Sequence, residues 1–398
     1  MQLTDDLTDE YVPSRIPSTH PLHEPQLLTA ARREEFRQMA KASRLAKQAA
    51  LKGTGAASIH PIYMPRLNPY DLMPFIKPLG LTSLSLFSGG GGLDLGFERA
   101  GFTHSASYEW MEEAGRTLEQ NRPDWEIHKG AAGDVQGVDW KRFRGEIDVL
   151  HGGPPCQPFS MAGKQRGALD PRDMWPEFVR AVKTIRPRAF VGENVAALSM
   201  MRFADYVDQV ILSPLSREYH IHQVTLHAHE FGVPQLRKRI FFLGFRRKSD
   251  SANWTRPAPT HYRPGTKPVE GLVATMGIRK ALGLPDIGID DLSPTIRSGL
   301  SGPRHTTSIV NSVAAAKRFR ALQIWGSGVA PTREAAQAFV AKHDDYRLSV
   351  PEVGLLQAFP EDWKFTGATY MQLGQIGNAV PPALGYAVAT SVGSALAR

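Results

Sequence analysis

The only cysteine in the chain lies where a nucleophile would be held in a fixed position. Cys156 follows Gly-Gly-Pro-Pro at residues 152–155, and no other cysteine occurs among the 398 residues. A single thiol cannot form a disulfide within the chain, and one cysteine does not indicate a zinc cluster. The prolines fix the backbone before the thiol, and the glycines let another segment approach. A buried packing cysteine is the alternative, but packing does not require this combination, so we expect a nucleophile.

A carboxylate follows a second predicted strand of the same sheet. Residues 148–150 form a short strand that runs into the cysteine loop, and residues 188–191 form another that ends just before Glu193 and Asn194. At the C-terminal end of a parallel strand, a carboxylate points into the crevice where α/β proteins bind ligands. A capping or salt-bridged surface glutamate is the alternative. Two strand ends that carry the lone cysteine and a glutamate favour a catalytic pair.

Arginines mark the start of a further predicted strand, residues 239–245. Gln235, Arg237 and Arg239 lie at its beginning, and strand alternation puts both arginines on one side and Lys238 on the other. A guanidinium matches a planar, oxygen-rich target such as a base carbonyl or a phosphate. A basic strand end in solvent is the alternative.

A glycine-rich loop predicts a cofactor site. Residues 87–92 read Phe-Ser-Gly-Gly-Gly-Gly and stand between a predicted strand, residues 82–87, and a predicted helix, residues 93–100. Such a loop lets a ligand reach backbone N–H groups at the start of a helix. A dinucleotide-binding loop needs glycines at relative positions one, three and six, which no register supplies here. A glycine turn without a ligand is the remaining alternative.

Three side chains beyond the loop indicate which cofactor it would hold. Glu109 ends a predicted second strand, residues 104–108, where a carboxylate can bind both hydroxyls of a ribose. Trp110 beside it could stack on an adenine, and Asp134 would end a third strand. The set fits an adenosine-containing cofactor without a pyrophosphate cradle, which favours S-adenosylmethionine over NAD.

The composition is that of a globular protein with a polyanionic partner. Hydrophobic residues make up 42% of the chain and charged residues 22%, which is ordinary for soluble proteins. Apolar runs are too short to span a bilayer, and the acidic N-terminus is not a secretory signal. We therefore expect a cytoplasmic protein that binds no membrane. The net charge of +8 favours nucleic acid as the partner.

Strands that alternate with helices predict an α/β fold, a Rossmann-like domain with a parallel-rich sheet covered on both faces. This domain is expected at residues 81–245, completed by residues 347–398. Residues 246–346 lack regular patterning except for a helix near residues 333–342, and they predict a smaller, irregular lobe. Residues 1–80 predict an extension, with one basic helix at residues 26–52 and a proline-rich linker at residues 53–80.

The order of these motifs resembles that of bacterial DNA (cytosine-5)-methyltransferases of the restriction–modification type. The resemblance extends from about Leu81 to the C-terminus. Its motifs are the glycine loop, the Pro-Pro-Cys-Gln loop at residues 154–157, Glu-Asn-Val at residues 193–195, Gln-x-Arg-x-Arg at residues 235–239, and Gly-Asn-Ala-Val-Pro at residues 377–381. One departure is Pro351, which stands where the family has an arginine.

The resemblance implies a reaction and a set of partners. A methyl group would pass from S-adenosylmethionine to carbon 5 of cytosine, in a specific duplex DNA sequence and on a base flipped out of the helix. The protein would be a cytoplasmic, nucleoid-associated monomer. It would protect host DNA from a restriction endonuclease that acts on the same site. No metal is implied.

The resemblance also implies residue roles. The Cys156 thiolate would add to carbon 6, Glu193 would hold the base and act as an acid, Arg239 would bind its carbonyl and Arg237 would support the loop. The implied cofactor residues are Phe87, Ser88, Gly89, Gly91, Gly92, Leu93, Glu109, Trp110, Asp134, Asn378, Ala379 and Val380. The implied DNA contacts are Pro155, Gln157, Ser160, Gln235, Arg297, Arg304, Thr306 and Thr307.

Three other functions fit parts of the sequence. A tRNA cytosine-5 methyltransferase on the same scaffold is disfavoured. That branch is expected to carry an additional Cys-Phe-Thr signature, and this chain has only one cysteine. A non-catalytic DNA-binding regulator is disfavoured by the presence of Cys156, Glu193 and Arg239. A nicotinamide oxidoreductase is disfavoured by the glycine spacing.

Overall fold

A computed structural model describes residues 63–155, 173–298, 306–310, 312–337 and 345–397, and also residues 30, 31, 34, 37, 38 and 41. The strands of the main sheet are β1 Thr82–Leu86, β2 Thr103–Glu109, β3 Ile127–Lys129, β4 Val149–Gly152, β5 Ala189–Val195, β6 His220–His227 and β7 Lys238–Phe245. They lie in the order β3-β2-β1-β4-β5-β7-β6.

Strands β1 to β5 pair in parallel with one another, whereas β7 is antiparallel to both β5 and β6. The predicted parallel-rich α/β sheet is therefore confirmed. The antiparallel edge was not predicted, because the polar, histidine-rich residues of β6 do not read as a buried strand. The carboxyl ends of β1, β2, β4 and β5 meet at one edge, and the start of the antiparallel β7 lies at that same edge.

Both faces of the sheet are apolar, and alternation along β7 shows why. Phe241, Leu243 and Phe245 face one core cluster, whereas Ile240 and Phe242 face another. Such strands are stable only where helices cover both faces.

Helices cover the sheet on both sides. They are α1 Gly92–Arg99, α2 Glu112–Asn121, α3 Trp175–Ile185, α4 Ala204–Tyr206, α5 Ser213–Leu215, α6 Lys248–Asn253, α7 Ile278–Ala281, α8 Val313–Ala321, α9 Arg333–Gln337, α10 Val350–Leu356, α11 Thr369–Asn378 and α12 Pro382–Leu396. A π-helical stretch, Val207–Leu212, joins α4 to α5, and it packs with α3 on one face of the sheet. Helices α1 and α12 pack together on the other.

Short 3-10 turns connect many of these elements. They are Pro69–Leu72, Gly130–Gly133, Val135–Gly137, Trp140–Phe143, Ala196–Ser199, Met201–Phe203 and Ala228–Phe231.

The C-terminal helices form the one described stretch with the length and apolar composition to cross a membrane. It runs from Thr369 to Leu396, and 67% of its most apolar window is buried inside the protein. Val388, Val392 and Leu396 of α12 belong to the main core cluster. The apolar residues of α12 are thus accounted for by packing against the sheet.

The second lobe contains more regular structure than predicted. Besides α7, α8 and α9 it contains β8 His261–Tyr262, β9 Val273–Ala274 and β10 Ile324–Ala330. Strand β10 pairs in parallel with β11, Tyr346–Ser349, which ties the lobe to the C-terminal segment. The predicted helix at 333–342 is described as α9, and residues 338–344 lie outside the described part. The domain boundaries stay predictions.

The departure at Pro351 is accommodated at a helix start. The Glu352 carboxylate accepts hydrogen bonds from the Ser349 backbone N–H and hydroxyl, both at 2.7 Å, at the start of α10. Pro351 therefore takes a first-turn position, which proline tolerates well. The Nε atom of Arg333, from the lobe, lies 3.9 Å from a carboxylate oxygen of the buried Glu352. Arg333 of the second lobe thus contacts Glu352, which follows Pro351, the position where the family has an arginine.

The structure corrects the linker prediction for residues 63–80. This segment contains the 3-10 turn Pro69–Leu72, and the Met73 side chain is fully buried. Five prolines across residues 53–80 indicated a linker, but the buried side chains in residues 63–80 are held by distant parts of the chain. In the predicted helix at 26–52, the described positions are helical and the rest lies outside the described residues.

Candidate active site

Glu109 holds the glycine loop against the end of β2. Its carboxylate accepts hydrogen bonds from the backbone N–H of Gly89 at 2.6 Å and of Met111 at 2.7 Å. Burial raises the pKa of Glu109, the two N–H donors oppose that shift, and the nearby Asp94 adds to it. Each carboxylate oxygen has a second lone pair, so Glu109 can still accept hydrogen bonds from a pair of hydroxyls.

The C-terminal segment folds back onto the glycine loop. A side chain at Gly92 would place its Cβ 2.1 Å from the carbonyl oxygen of Val380, so only glycine permits this approach. The Trp363 indole donates a hydrogen bond of 3.0 Å to the Gly90 carbonyl oxygen. The loop is therefore positioned by residues almost 300 positions later in the chain, including Ala379 and Val380, which are both buried.

The other predicted cofactor residues lie around this loop. Phe87 adopts a left-handed backbone conformation, with φ 56°, at the turn out of β1. Ser88 and Leu93 are buried, Gly89 and Trp110 are half-buried, and Asn378 is exposed. Gly91 takes a left-handed conformation at the start of α1. The loop thus offers both backbone and side-chain groups at one strand end.

Asp134 does not end a strand as predicted. Strand β3 stops at Lys129, and the turn Gly130–Gly133 follows. The Asp134 carboxylate then accepts a hydrogen bond from the Gln136 backbone N–H at 3.0 Å and caps the next turn. The strand prediction was wrong because β3 is only three residues long and lacks a clear alternation.

Sequence reasoning missed a buried carboxylate beneath the loop. Asp94, in the first turn of α1, accepts a hydrogen bond from Ser107 at 3.0 Å. The hydroxyls of Ser85 and Ser88 lie 2.8 Å apart in the same pocket. Burial raises the pKa of Asp94 to about 6, against the opposing effect of the neighbouring hydroxyls. An acid in the first turn of a helix is ordinarily an exposed partner of the helix dipole, so the sequence carried no signal for this site.

Glu193 and Arg239 form a buried ion pair at the ends of β5 and β7. The Nε atom of Arg239 lies 2.7 Å from a carboxylate oxygen of Glu193, and both side chains are about one-tenth exposed or less. Burial raises the pKa of Glu193, and the positive charges of Arg239 and Arg237 oppose the rise. Lys238 between the two arginines is exposed, which confirms the predicted alternation.

The Glu-Asn motif also holds the segment that leads to the cysteine. The Asn194 side chain donates a hydrogen bond of 3.1 Å to the carbonyl oxygen of Pro154. A Cβ at Gly153 would lie 2.8 Å from a Glu193 oxygen, so glycine makes room for the carboxylate. The half-buried Pro155 is the last residue described here. Cys156, Gln157 and Ser160 lie outside the described residues.

Gln235 and Arg237 are inside the protein rather than on a surface that DNA reaches. The Gln235 amide, which is fully buried, donates to the Leu356 carbonyl and the Gln357 side chain and accepts from the Ile296 backbone. The Gln235 side chain therefore holds distant segments together, and its contact with the substrate stays a prediction. These partners come from segments more than 55 residues away, which sequence patterning could not foresee.

Arg237 joins three segments near the ion pair of Glu193 and Arg239. Its guanidinium donates to the carbonyl oxygens of Gly377 and Ala379 at 2.9 and 2.7 Å, and to that of Ile296 at 3.5 Å. It therefore fixes the second lobe and the C-terminal motif to the start of β7, close to Glu193.

Three of the predicted recognition residues, Arg297, Thr306 and Thr307, lie in segments joined by backbone hydrogen bonds. The backbone of Arg297 pairs with Ile309, and that of Thr307 with Val329. Thr306 accepts a hydrogen bond from the Ser308 backbone at 3.1 Å. All three predicted residues are half-buried, and Arg304 lies outside the described residues.

Comparison with known proteins gives a consistent family. Residues 81–282 and 291–394 match the model of the C-5 cytosine-specific DNA methylases. The Type II methyltransferase M.NgoMIV of Neisseria gonorrhoeae is 33% identical over 324 residues, which are 80% of this chain and 98% of that protein. M.NaeI of Lentzea aerocolonigenes, also a Type II methyltransferase, is 32% identical over 79% of this chain and 75% of its own length.

Solved structures share the fold. A methyltransferase encoded within an E. coli prophage has a TM-score of 0.53 and 22% identity, over 80% of this chain and all of its own. A mutant of Spodoptera frugiperda DNMT2 also has a TM-score of 0.53, with 16% identity over 78% of this chain and 99% of its own. At these identities the likeness concerns the fold alone.

Proposed function

This chain belongs to the C-5 cytosine-specific DNA methylase family, and we propose that it methylates one specific duplex sequence with S-adenosylmethionine through a covalent cysteine adduct. It is a DNA (cytosine-5)-methyltransferase. The observation that carries the proposal is the buried Glu193–Arg239 pair, packed against the segment that leads into Cys156. A second buried carboxylate, Glu109, stands at the glycine loop of the same sheet edge.

The ends of β4, β5 and β7 receive the cytosine. The Cys156 thiolate adds to carbon 6, which makes carbon 5 nucleophilic. Glu193, whose pKa burial raises, holds the base at N3 and the amino group and provides a proton to balance the charge that develops on the ring. Carbon 5 would then take the methyl group and a base would remove the carbon 5 proton. The ring double bond would re-form as the Cys156 thiolate leaves carbon 6, and the ring would return to Glu193 the proton that it had received. Arg239 binds the O2 carbonyl and keeps Glu193 in place, whereas Arg237 acts only through the backbone segments that it joins.

The ends of β1 and β2 fit the methyl donor. S-adenosylmethionine, when bound, supplies an electrophilic methyl group. The remaining lone pairs of the Glu109 carboxylate match the two ribose hydroxyls of such a cofactor, and the glycine loop leaves no Cβ between the ligand and the backbone. Trp110, directly after Glu109, is the residue that we expect to contact the adenine.

Duplex DNA is the partner that the charge and the chemistry require. Carbons 5 and 6 are stacked inside a duplex, so the base must swing out at a cost of roughly a few kcal/mol. Phosphate contacts of a protein with net charge +8 offset that cost. The second lobe, with Arg297, Arg304, Thr306 and Thr307, reads the sequence.

The biological role is inferred from the relatives. The relatives M.NgoMIV and M.NaeI are named Type II methyltransferases. We infer that this chain works in the cytoplasm as a monomer within a restriction–modification system. It would protect host DNA from an endonuclease that cuts the same site.

The test is transfer of labelled methyl from S-adenosylmethionine to duplex DNA, with tRNA and the Cys156→Ala variant alongside. Label on DNA that disappears with the variant supports the covalent cytosine mechanism. Label on tRNA instead of DNA would contradict the proposed substrate. Label on DNA that persists at full rate in the variant would contradict the role of Cys156.

A further inference from the structure

Residues 63–80, here called the leader strap, connect the second lobe to the first helix of the methylase domain. At one end, the backbone N–H groups of Arg66 and Leu67 donate to the Ala281 carbonyl oxygen at 3.0 and 3.1 Å. At the other end, the Leu79 N–H donates to Gly101 at 2.9 Å. The strap precedes residue 81, where the family match begins, so the family motifs assign it no role.

The middle of the strap is part of the packing behind the glycine loop. Met73 is fully buried in a cluster with Leu95 of α1, Leu118 of α2 and Trp363. Its carbonyl oxygen accepts a hydrogen bond of 2.9 Å from the Arg99 side chain. Helices α1 and α2 flank the glycine loop. The strap therefore packs on the helices that hold the glycine loop.

Tyr70 of the strap contacts the residue beside the indole that holds the loop. The Tyr70 hydroxyl donates to the Asp362 carboxylate, with its oxygen 2.9 and 3.1 Å from the two carboxylate oxygens. The next residue is Trp363, whose indole donates to the Gly90 carbonyl oxygen, and whose ring would lie 2.7 Å from a Cβ at Gly91. Two hydrogen bonds thus connect the strap to the backbone of the glycine loop.

We propose that Tyr70 is a positioning residue of the cofactor site, which acts through Asp362 and Trp363 on the loop at Gly90. The inference rests on the proposed use of S-adenosylmethionine. A loop of four consecutive glycines has high conformational freedom, and ordering it costs free energy when a ligand binds. Holding Trp363 in place before binding reduces that cost, so the strap strengthens cofactor binding without touching the cofactor.

The alternative is that Tyr70 only stabilises the fold. Asp362 is exposed, so removal of the Tyr70 hydroxyl leaves a carboxylate that water can solvate. No buried charge is left without a partner, and the protein remains folded. An effect on cofactor affinity can therefore be separated from an effect on stability.

The experiment uses the full chain with Tyr70→Phe, and Tyr63→Phe as the matched control. Tyr63 is on the same strap, but its ring faces Tyr346 of the second lobe, 6.1 Å away between centroids. Loss of one hydrogen bond should weaken S-adenosylmethionine binding by roughly three- to tenfold in Tyr70→Phe, measured as Kd by calorimetry and as KM. The kcat at saturating cofactor and the KM for DNA should stay as in the wild type, and Tyr63→Phe should bind normally.

A double-mutant cycle tests the route. Asp362→Ala should weaken cofactor binding to the same degree, and adding Tyr70→Phe to it should have no further effect. An unchanged Kd in Tyr70→Phe, or an equal change in Tyr63→Phe, would overturn the proposal. Failure of the wild type itself to bind S-adenosylmethionine would instead contradict the proposed function.

Discussion

The ends of β2 and β5 each carry a buried glutamate, and the two are held in different ways. Glu109 receives two backbone N–H groups, whereas Glu193 receives the guanidinium of Arg239. Burial raises the pKa of both. Backbone donors fix a carboxylate without a neighbouring cation, which suits an acceptor for neutral hydroxyls. A cationic side chain suits a group whose charge changes during a reaction. Under the proposed function, Glu109 at this sheet edge is the binding carboxylate and Glu193 is the reacting carboxylate.

The largest effect is expected at the reacting carboxylate. Glu193→Gln keeps the shape of the side chain but removes the acid, so the rate of methyl transfer should fall by roughly 10² to 10⁴. Single-turnover transfer of labelled methyl at saturating cofactor measures this. Glu218→Gln is the control, because Glu218 pairs with Arg186 away from the site. A loss below tenfold in Glu193→Gln would show that no acid is needed there.

Removing the cation should destabilise the protein. Arg239→Met leaves Glu193 buried beside only the more distant Arg237, and breaking such a pair costs roughly 3–5 kcal/mol. The pKa of Glu193 then rises further above its unfolded value, so stability is lost as pH rises through the folded pKa. Urea unfolding from pH 5 to pH 8 measures this, with the exposed Lys238→Met as control. Equal unfolding free energies for the two variants across that range would contradict the account.

Asp94 is a third buried carboxylate, and it lies beneath the glycine loop. Asp94 titrates at about 6 in the folded protein, against 3.8 for the free group, so stability falls as pH rises from about 4 to about 6. This displacement corresponds to roughly 3 kcal/mol. Asp94→Asn should remove the loss of stability between pH 4 and pH 6. The control Asp124→Asn, at an exposed position, should retain that loss. Urea unfolding at pH 4 and pH 7 provides the comparison, and an unchanged slope in Asp94→Asn would be the contrary result.

The smallest effect is expected at the binding carboxylate. In Glu109→Gln the amide NH₂ must face one of the two backbone N–H donors, which disturbs the glycine loop. The Kd for S-adenosylmethionine should rise roughly tenfold, because one hydrogen bond to a charged group is lost. Calorimetry on this variant and on the control Glu112→Gln measures the change in Kd, since Glu112 pairs with the exposed Arg116. Equal affinities in both variants would separate Glu109 from the cofactor.

The strand ends were predictable from sequence because the carboxyl ends of parallel strands share an edge. Glu109 and Glu193 could therefore be placed at the same edge of the sheet before the strand order was known. The partners of the two glutamates could not be predicted. The N–H donors to Glu109 come from loops, and the guanidinium beside Glu193 comes from an antiparallel strand. Sheet edge β6 was likewise missed.

Contacts between distant segments were the least predictable part. Gln235 looked like a DNA contact, but its partners Ile296, Leu356 and Gln357 become neighbours only in the folded chain. Residues 63–80 looked like a linker because prolines hide any periodicity, although Met73 is buried as deeply as the main core. Local patterning carries no information on such contacts.

The most direct test of the division between the two strand ends is one titration on three proteins. Single-turnover methyl transfer to duplex DNA is followed against S-adenosylmethionine concentration for the wild type, Glu109→Gln and Glu193→Gln. We predict that Glu109→Gln raises the half-saturating concentration and leaves the maximal rate nearly unchanged, whereas Glu193→Gln lowers the maximal rate at an unchanged half-saturating concentration. If both variants lower the maximal rate alike, the two carboxylates do not have separate tasks and the account is wrong.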